Sequence, residues 1–81
     1  MGTVTVRYFA GARAAAGVTE EALAGSTLAE LVTALGERHG DSLRKVLACA
    51  AFLVDGLAWH DRYAPLPAGA TVDVLPPFAG G

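Results

Sequence analysis

The 81 residues contain one cysteine, one lysine and one tryptophan. Cys49 by itself closes no internal disulfide and finds no second sulfur for a metal site. Six basic residues against eight acidic ones give a net charge of −2, without the basic surplus of a nucleic-acid binder. No basic amphipathic stretch suggests a membrane surface, and no run approaches the ~20 apolar residues of a membrane-spanning helix. Met1 to Ala10 carries one positive charge and alternates, so no signal peptide is expected. These absences lead us to expect a cytoplasmic protein whose partners include neither nucleic acid nor membrane.

Catalytic groups are equally sparse. Gly11 and Gly17 match neither nucleotide-binding fingerprint. His39 and His60 have no cysteine or carboxylate at ligand spacing and are expected to be solvated or structural. Asp61 is expected in a loop and Asp73 at an outward strand position, so they form no acid–base pair. Cys49 lies in the apolar run Leu47 to Phe52 and is expected to be a small buried hydrophobe. Trp59 is expected to pack in the core or at an edge. We therefore expect no active site within the chain itself, no metal site and no bound cofactor.

What is present points to one small domain. A chain this short buries roughly 60–65% of its unfolded surface, enough for a sheet and one or two helices. Thr3 to Phe9 alternates and is rich in β-branched residues, so it reads as a strand with Val4, Val6 and Tyr8 on the core face. Phe9 is then out of phase and points the other way. Ala10 to Gly17 reads as a loop and Val18 to Ala24 as a returning strand, although Glu20-Glu21-Ala22 would equally suit a helix. Thr27-Leu28-Ala29-Glu30 is a capping box. Leu28, Leu31, Val32 and Leu35 follow at helical spacing, and Gly40 is placed for a left-handed C-cap. Asp41 to Leu47 suggests a further short helical turn. Ala51 to Val54, a turn at Asp55-Gly56, and Leu57 to Trp59 read as a hairpin. After a turn at Pro65 to Gly69, Thr71 to Leu75 reads as the last strand, with Val72 and Val74 inward.

That order predicts an α+β roll: a mixed sheet of about five strands with one main helix packed across one face. Residues 1–75 would form the globular domain and residues 76–81 a flexible tail. In such rolls the first and last strands are commonly parallel neighbours at the sheet centre. Their ends would then bring Phe9 and Leu75 together as an exposed apolar pair beside the tail. The tail runs Pro76-Pro77-Phe78-Ala79-Gly80-Gly81. The prolines restrict φ and hold it extended. The two glycines carry no side chain, so a terminal carboxylate at Gly81 would enter a narrow channel in another protein.

Val6-Arg7-Tyr8-Phe9-Ala10-Gly11-Ala12-Arg13, together with a last strand followed by Pro-Pro-Phe-Ala-Gly-Gly, resembles the sulfur-carrier small subunits of molybdopterin synthase. These belong to the ubiquitin-like sulfur carriers of β-grasp fold. The thiamin-thiazole sulfur carriers are similar but generally shorter.

The resemblance covers essentially the whole chain. It implies a non-catalytic subunit whose Gly81 carboxylate is adenylated with ATP by a ubiquitin-activating-type adenylyltransferase. A sulfur-donor protein then converts it to a thiocarboxylate. The sulfur goes to a cyclic pterin in the active site of the synthase large subunit, building the ligand of the molybdenum cofactor. The family implies a heterotetramer of two carriers on a dimeric large subunit. Gly80 and Gly81 would be the reacting tip. Phe9, Arg13, Leu57, Leu75, Pro76, Pro77, Phe78 and Ala79 would meet the partner, with Leu57 placed near the same edge. Two other readings stay open. One is a sulfur carrier for thiazole, cysteine or thionucleoside synthesis. The other is a ubiquitin-like protein modifier or interaction domain.

Overall fold

In the computed structural model, residues 2–77 are described. β1 (Thr3–Tyr8) and β2 (Glu20–Ala24) pair antiparallel, from Thr3 opposite Ala24 to Arg7 opposite Glu20. The alternation in β1 sorts its side chains: Val4, Val6 and Tyr8 are buried, while Thr3 and Arg7 are exposed. β3 (Ala51–Val54), β4 (Leu57–Ala58) and β5 (Thr71–Leu75) complete a five-stranded sheet in the order β2-β1-β5-β3-β4. β1 and β5 lie parallel at its centre, from Thr5 opposite Thr71 to Tyr8 opposite Val74. The other pairs are antiparallel. The expected mixed α+β roll is observed.

Three helices contribute to the core where one main helix was expected. α1 (Gly11–Ala16) replaces the loop read over Ala10 to Gly17. Gly11 opens the helix and Gly17 caps its end, and the alanines between them have the highest helix propensity. Ala12 and Ala16, one turn apart, are buried. α2 (Leu28–His39) is the capped helix that was read. Thr27 Oγ1 accepts from the Glu30 amide at 3.2 Å. The reciprocal contact shifts by one residue: the Glu30 carboxylate accepts from the amide and hydroxyl of Ser26, not from Thr27. Those bonds hold the Glu30 carboxyl below the usual carboxylate range. α3 (Asp41–Cys49) extends the expected turn to nine residues and buries Leu43 and Leu47 on one side.

Two backbone positions shape the connections. Asp55 (φ 50°) and Gly56 (φ 84°) form the type I′ turn between β3 and β4. The Asp55 carboxylate accepts from the Thr71 amide, which ties this turn to β5. Gly40 separates α2 from α3 at φ 91°, ψ −167°. The expected left-handed cap is therefore corrected: φ is positive, but ψ lies in a region open essentially to glycine alone.

The core is a single cluster. Leu28, Leu31 and Leu35 from α2 and Leu43 and Leu47 from α3 pack on Val4, Val6, Tyr8, Phe52, Val54, Val72 and Val74 of the sheet. Gly40→Ala should reduce unfolding stability by about 1–3 kcal/mol, because the alanine Cβ opposes this backbone conformation. A drop in the urea midpoint with unchanged m-value would show it; an unchanged midpoint would refute the assignment of strain.

Candidate functional site

Because β1 and β5 run parallel, their C-terminal ends meet at one edge of the sheet. Tyr8 is opposite Val74, and the Phe9 amide donates to the Val74 carbonyl at 3.3 Å. Phe9 and Leu75 therefore end the two strands side by side, out of phase with the core. Both are half-buried, a correction to the expected exposed pair. Arg7 accounts for part of the cover, its guanidinium carbon lying 5.6 Å from the centre of the Phe9 ring. Pro76 is half-buried and Pro77 exposed at the start of the tail. Phe78, Ala79, Gly80 and Gly81 lie outside the described residues.

The chain turns sharply after Phe9. Ala10 has φ 50° and ψ −124°, values suited to the first central residue of a type II′ turn and unusual for alanine. The Ala12 amide donates to the Phe9 carbonyl at 3.0 Å, closing that turn. Arg13 lies in α1, not in a loop, and is exposed. Its Nε approaches the Tyr8 carbonyl at 3.5 Å, so it stands at the same edge.

Leu57 does not. It pairs with Val54, which pairs with Val72, and the Asp55-Gly56 turn sits beside Thr71 at the start of β5. Directly opposed residues in a sheet share a face, so Leu57 belongs to the face carrying Val54 and Val72. It is 68% exposed because it sits on the short edge strand. The expected placement of Leu57 beside Phe9 and Leu75 is thus corrected: it stands toward the start of β5 and not at its end.

Two clusters of polar side chains brace this end of the sheet. On the outward face, Arg7 Nε and Nη2 donate to the two carboxylate oxygens of Asp73 at 2.7 and 2.9 Å. Asp73 was expected to be solvent-facing. It does point outward, but its residue exposure is only 6%. The bond to Asp73 raises the Arg7 pKa above its ordinary value. On the core side, Glu21 accepts from the Tyr8 hydroxyl at 2.6 Å and from Arg38, and shares a short hydrogen bond with His39. Burial opposes charge on Glu21, yet the bonds from Tyr8, Arg38 and His39 outweigh it and hold its carboxyl below the usual range. Burial pushes the Tyr8 hydroxyl up, and the bond to Glu21 adds to that. His39 thus has the structural role expected of it.

The remaining candidates do not converge on this edge. Asp61 accepts from the Tyr63 amide in a local turn. Cys49 is exposed at the end of α3, contrary to the expected burial. Its position on α3 sets this, since the buried stripe runs through Leu43 and Leu47. Trp59 is half-buried and packs against the core, as read. With Phe52, Leu53, His60 and Arg62 it lines a cavity of about 180 Å³. The buried Trp59 indole N–H finds no acceptor among the described residues, and the cavity has room for water to supply one. Among those residues no group of three or more His, Cys, Asp or Glu is placed to hold a metal.

The architecture is that of the ubiquitin-like β-grasp proteins. It superposes on small archaeal modifier protein 1 from Methanosarcina acetivorans with a TM-score of 0.86 at 23% identity, over 100% of this chain and 98% of that one. The chain belongs to the ThiS family, ubiquitin-like sulfur carriers whose family model matches residues 6–81. A Pyrococcus furiosus protein assigned as molybdopterin converting factor, subunit 1, is 27% identical with a TM-score of 0.82, over 96% of this chain and 100% of that one. A chain from the complex of subunits 1 and 2 of molybdopterin-converting factor from Helicobacter pylori is 25% identical with a TM-score of 0.75, over 98% and 99%. The resemblance to carriers of the molybdopterin kind is borne out. No curated protein matches the chain.

The Glu21 cluster has a pH signature. Its carboxyl is depressed in the fold, so its contribution is complete above the unfolded value of about 4.3 and is lost as pH falls through the lower folded value. Glu21→Gln should reduce stability by about 1–3 kcal/mol at pH 7, and the difference from the parent should narrow as the pH falls into the acid range below about 4. Urea unfolding at stepped pH measures both curves; parallel curves would rule out the charged carboxylate as the stabilising species.

Proposed function

We propose that this chain is the sulfur-carrying small subunit of a molybdopterin synthase. One observation carries the reading. The last strand occupies the centre of the sheet and ends at an apolar edge formed with Phe9, where Pro76 and Pro77 follow. A partner that grips the domain at this edge would also orient whatever follows Pro77. The pathway is supported by the two molybdopterin converting factor neighbours, each matched over nearly its whole length. One of them comes from a complex with its subunit 2, which supports a large-subunit partner here.

In this reading an adenylyltransferase joins the Gly81 carboxylate to the α-phosphorus of ATP, and pyrophosphate leaves. The acyl-adenylate is a mixed anhydride. The terminal persulfide sulfur of a donor protein attacks its carbonyl carbon and AMP leaves; a thiol then attacks the donor's inner sulfur in the resulting acyl disulfide, forming a disulfide with it and releasing the thiocarboxylate. The tail then enters the large subunit, where the sulfur, ionised at neutral pH, passes to a cyclic pterin. Each product takes two sulfurs, so spent carrier is released and recharged. Pro76 and Pro77 limit the conformational entropy lost on insertion. Phe9, Leu75 and Phe78 supply apolar contact outside the channel, with Arg13 at its rim. The domain itself contributes binding and orientation, and the active site belongs to the large subunit.

Membership of the ThiS family leaves a second reading, a carrier for another sulfur pathway such as thiazole synthesis. A modifier role would end instead in an isopeptide bond from Gly81 to lysines of other proteins.

Equilibrium binding to a molybdopterin synthase large subunit, with thiazole synthase as control, separates these readings. Selective binding to the former, weakened by removal of Gly80 and Gly81, is expected. Binding to thiazole synthase alone would transfer the assignment to the second reading. With the adenylyltransferase, ATP and a sulfur donor, mass spectrometry should show one oxygen replaced by sulfur at Gly81. Gly81→Ala should impair sulfur transfer with an unchanged Tm; full transfer by this variant would refute the narrow-channel argument.

A further inference from the structure

The sheet face turned away from the helices is uncovered among the described residues, and its centre is not apolar. Register places Glu20, Arg7, Asp73, Leu53 and Ala58 in one row across it, two residues before the Phe9–Leu75 edge. Arg7 is constrained on two sides. Asp73 grips Nε and Nη2, and the Phe9 ring lies against the guanidinium. Nη1 has no hydrogen-bond partner among the described residues, and the Arg7 side chain is 47% exposed while that of Asp73 is 9%. An arginine already fixed by its neighbours loses little further freedom when a partner binds. Its charge is also already countered, which reduces the desolvation penalty of covering it.

Glu20 changes the electrostatics of the row. It is exposed directly opposite Arg7 and close enough to raise the Arg7 pKa along with Asp73. The row then carries one negative charge in excess. A further carboxylate from outside would be repelled, whereas a neutral oxygen acceptor and a nearby cation would be welcome.

We propose that Arg7 is a preformed anchor of the docking face. Its Nη1 donates to a neutral carbonyl oxygen on an apolar patch of the partner protein, and Glu20 pairs with a basic side chain of the same patch. The identity of that partner, the synthase large subunit, rests on the function proposed above. Arg7 then selects among partners, because a patch carrying an acid at this point is rejected by Asp73 and Glu20 together.

The test is calorimetric binding of the full chain to the large subunit, for the parent and three variants. Arg7→Lys keeps the charge but cannot hold the Asp73 fork and offer a third directed donor, so affinity should fall about ten-fold or more. Glu20→Lys should weaken binding several-fold, and the difference should shrink as salt rises from about 0.05 to 0.5 M. Glu37→Lys makes the same charge change at an exposed site on α2, behind the sheet, and should leave affinity within about two-fold, as expected of a site outside the interface. Circular-dichroism melts establish that each variant folds, and Glu20→Lys decides the matter if Arg7→Lys does not. Parental affinity in Arg7→Lys or in Glu20→Lys would overturn the inference alone. So would tighter binding by Glu20→Lys, or equal losses in Glu20→Lys and Glu37→Lys. Failure of the parent to bind would overturn the molybdopterin reading, and this inference with it.

Discussion

The parallel pairing of β1 with β5 is the constraint on which the rest depends. It joins segments about 66 residues apart, as the Arg7–Asp73 pair records. Parallel neighbours need a crossover, and the chain between them must pass across the sheet to return in the same direction. The helices of that crossover are driven to one face, where Leu28, Leu31, Leu35, Leu43 and Leu47 cover the valines of the sheet. The same pairing brings the end of the last strand beside the end of the first. The chain therefore leaves β5 beside Phe9 and not at a remote corner.

The two faces of the sheet handle a buried carboxylate in one way. Glu21 on the core side and Asp73 on the open side are both largely shielded from water, and each is surrounded by donors. Glu21 collects contacts from β1 and from the last turn of α2. Asp73 takes both of its bonds from a single guanidinium on the neighbouring strand. A carboxylate in such a position is tolerable only when its oxygens are occupied. That requirement fixes the rotamers of Tyr8, Arg38 and Arg7 and stiffens the end of the sheet from which the tail leaves.

The domain has no catalytic constellation among its described residues, and a core of this size leaves no room for a deep pocket. In the function proposed above, the domain is the part recognised and the C-terminal glycines are the part acted upon. The fold alone would not separate a sulfur carrier from a modifier. The tail sequence and the family to which residues 6–81 belong bear that weight.

Much of this was legible in the chain. Alternation gave β1 and β5 their faces, the spacing of leucines gave α2, and Asp-Gly gave the β3–β4 turn, because each is a local preference that the rest of the structure reinforces. The composition of the tail and its resemblance to sulfur carriers were likewise present in the residues themselves. Tertiary structure decided the rest. Ala10 to Gly17 looked like a loop because glycines bracket it, and only packing of Ala12 and Ala16 against the core makes that segment a helix. Cys49 looked buried from its apolar neighbours, but the helical phase set by Leu43 and Leu47 turns it to solvent. Leu57 looked close to the tail from its turn, yet the antiparallel return of β3 carries it to the other end of the sheet. Asp73 looked solvent-facing because alternation gives direction and not cover; the cover comes from Arg7 on a strand that only the parallel pairing places beside it. Sequence determines which way a residue points within its own element, and only the fold determines what it meets there.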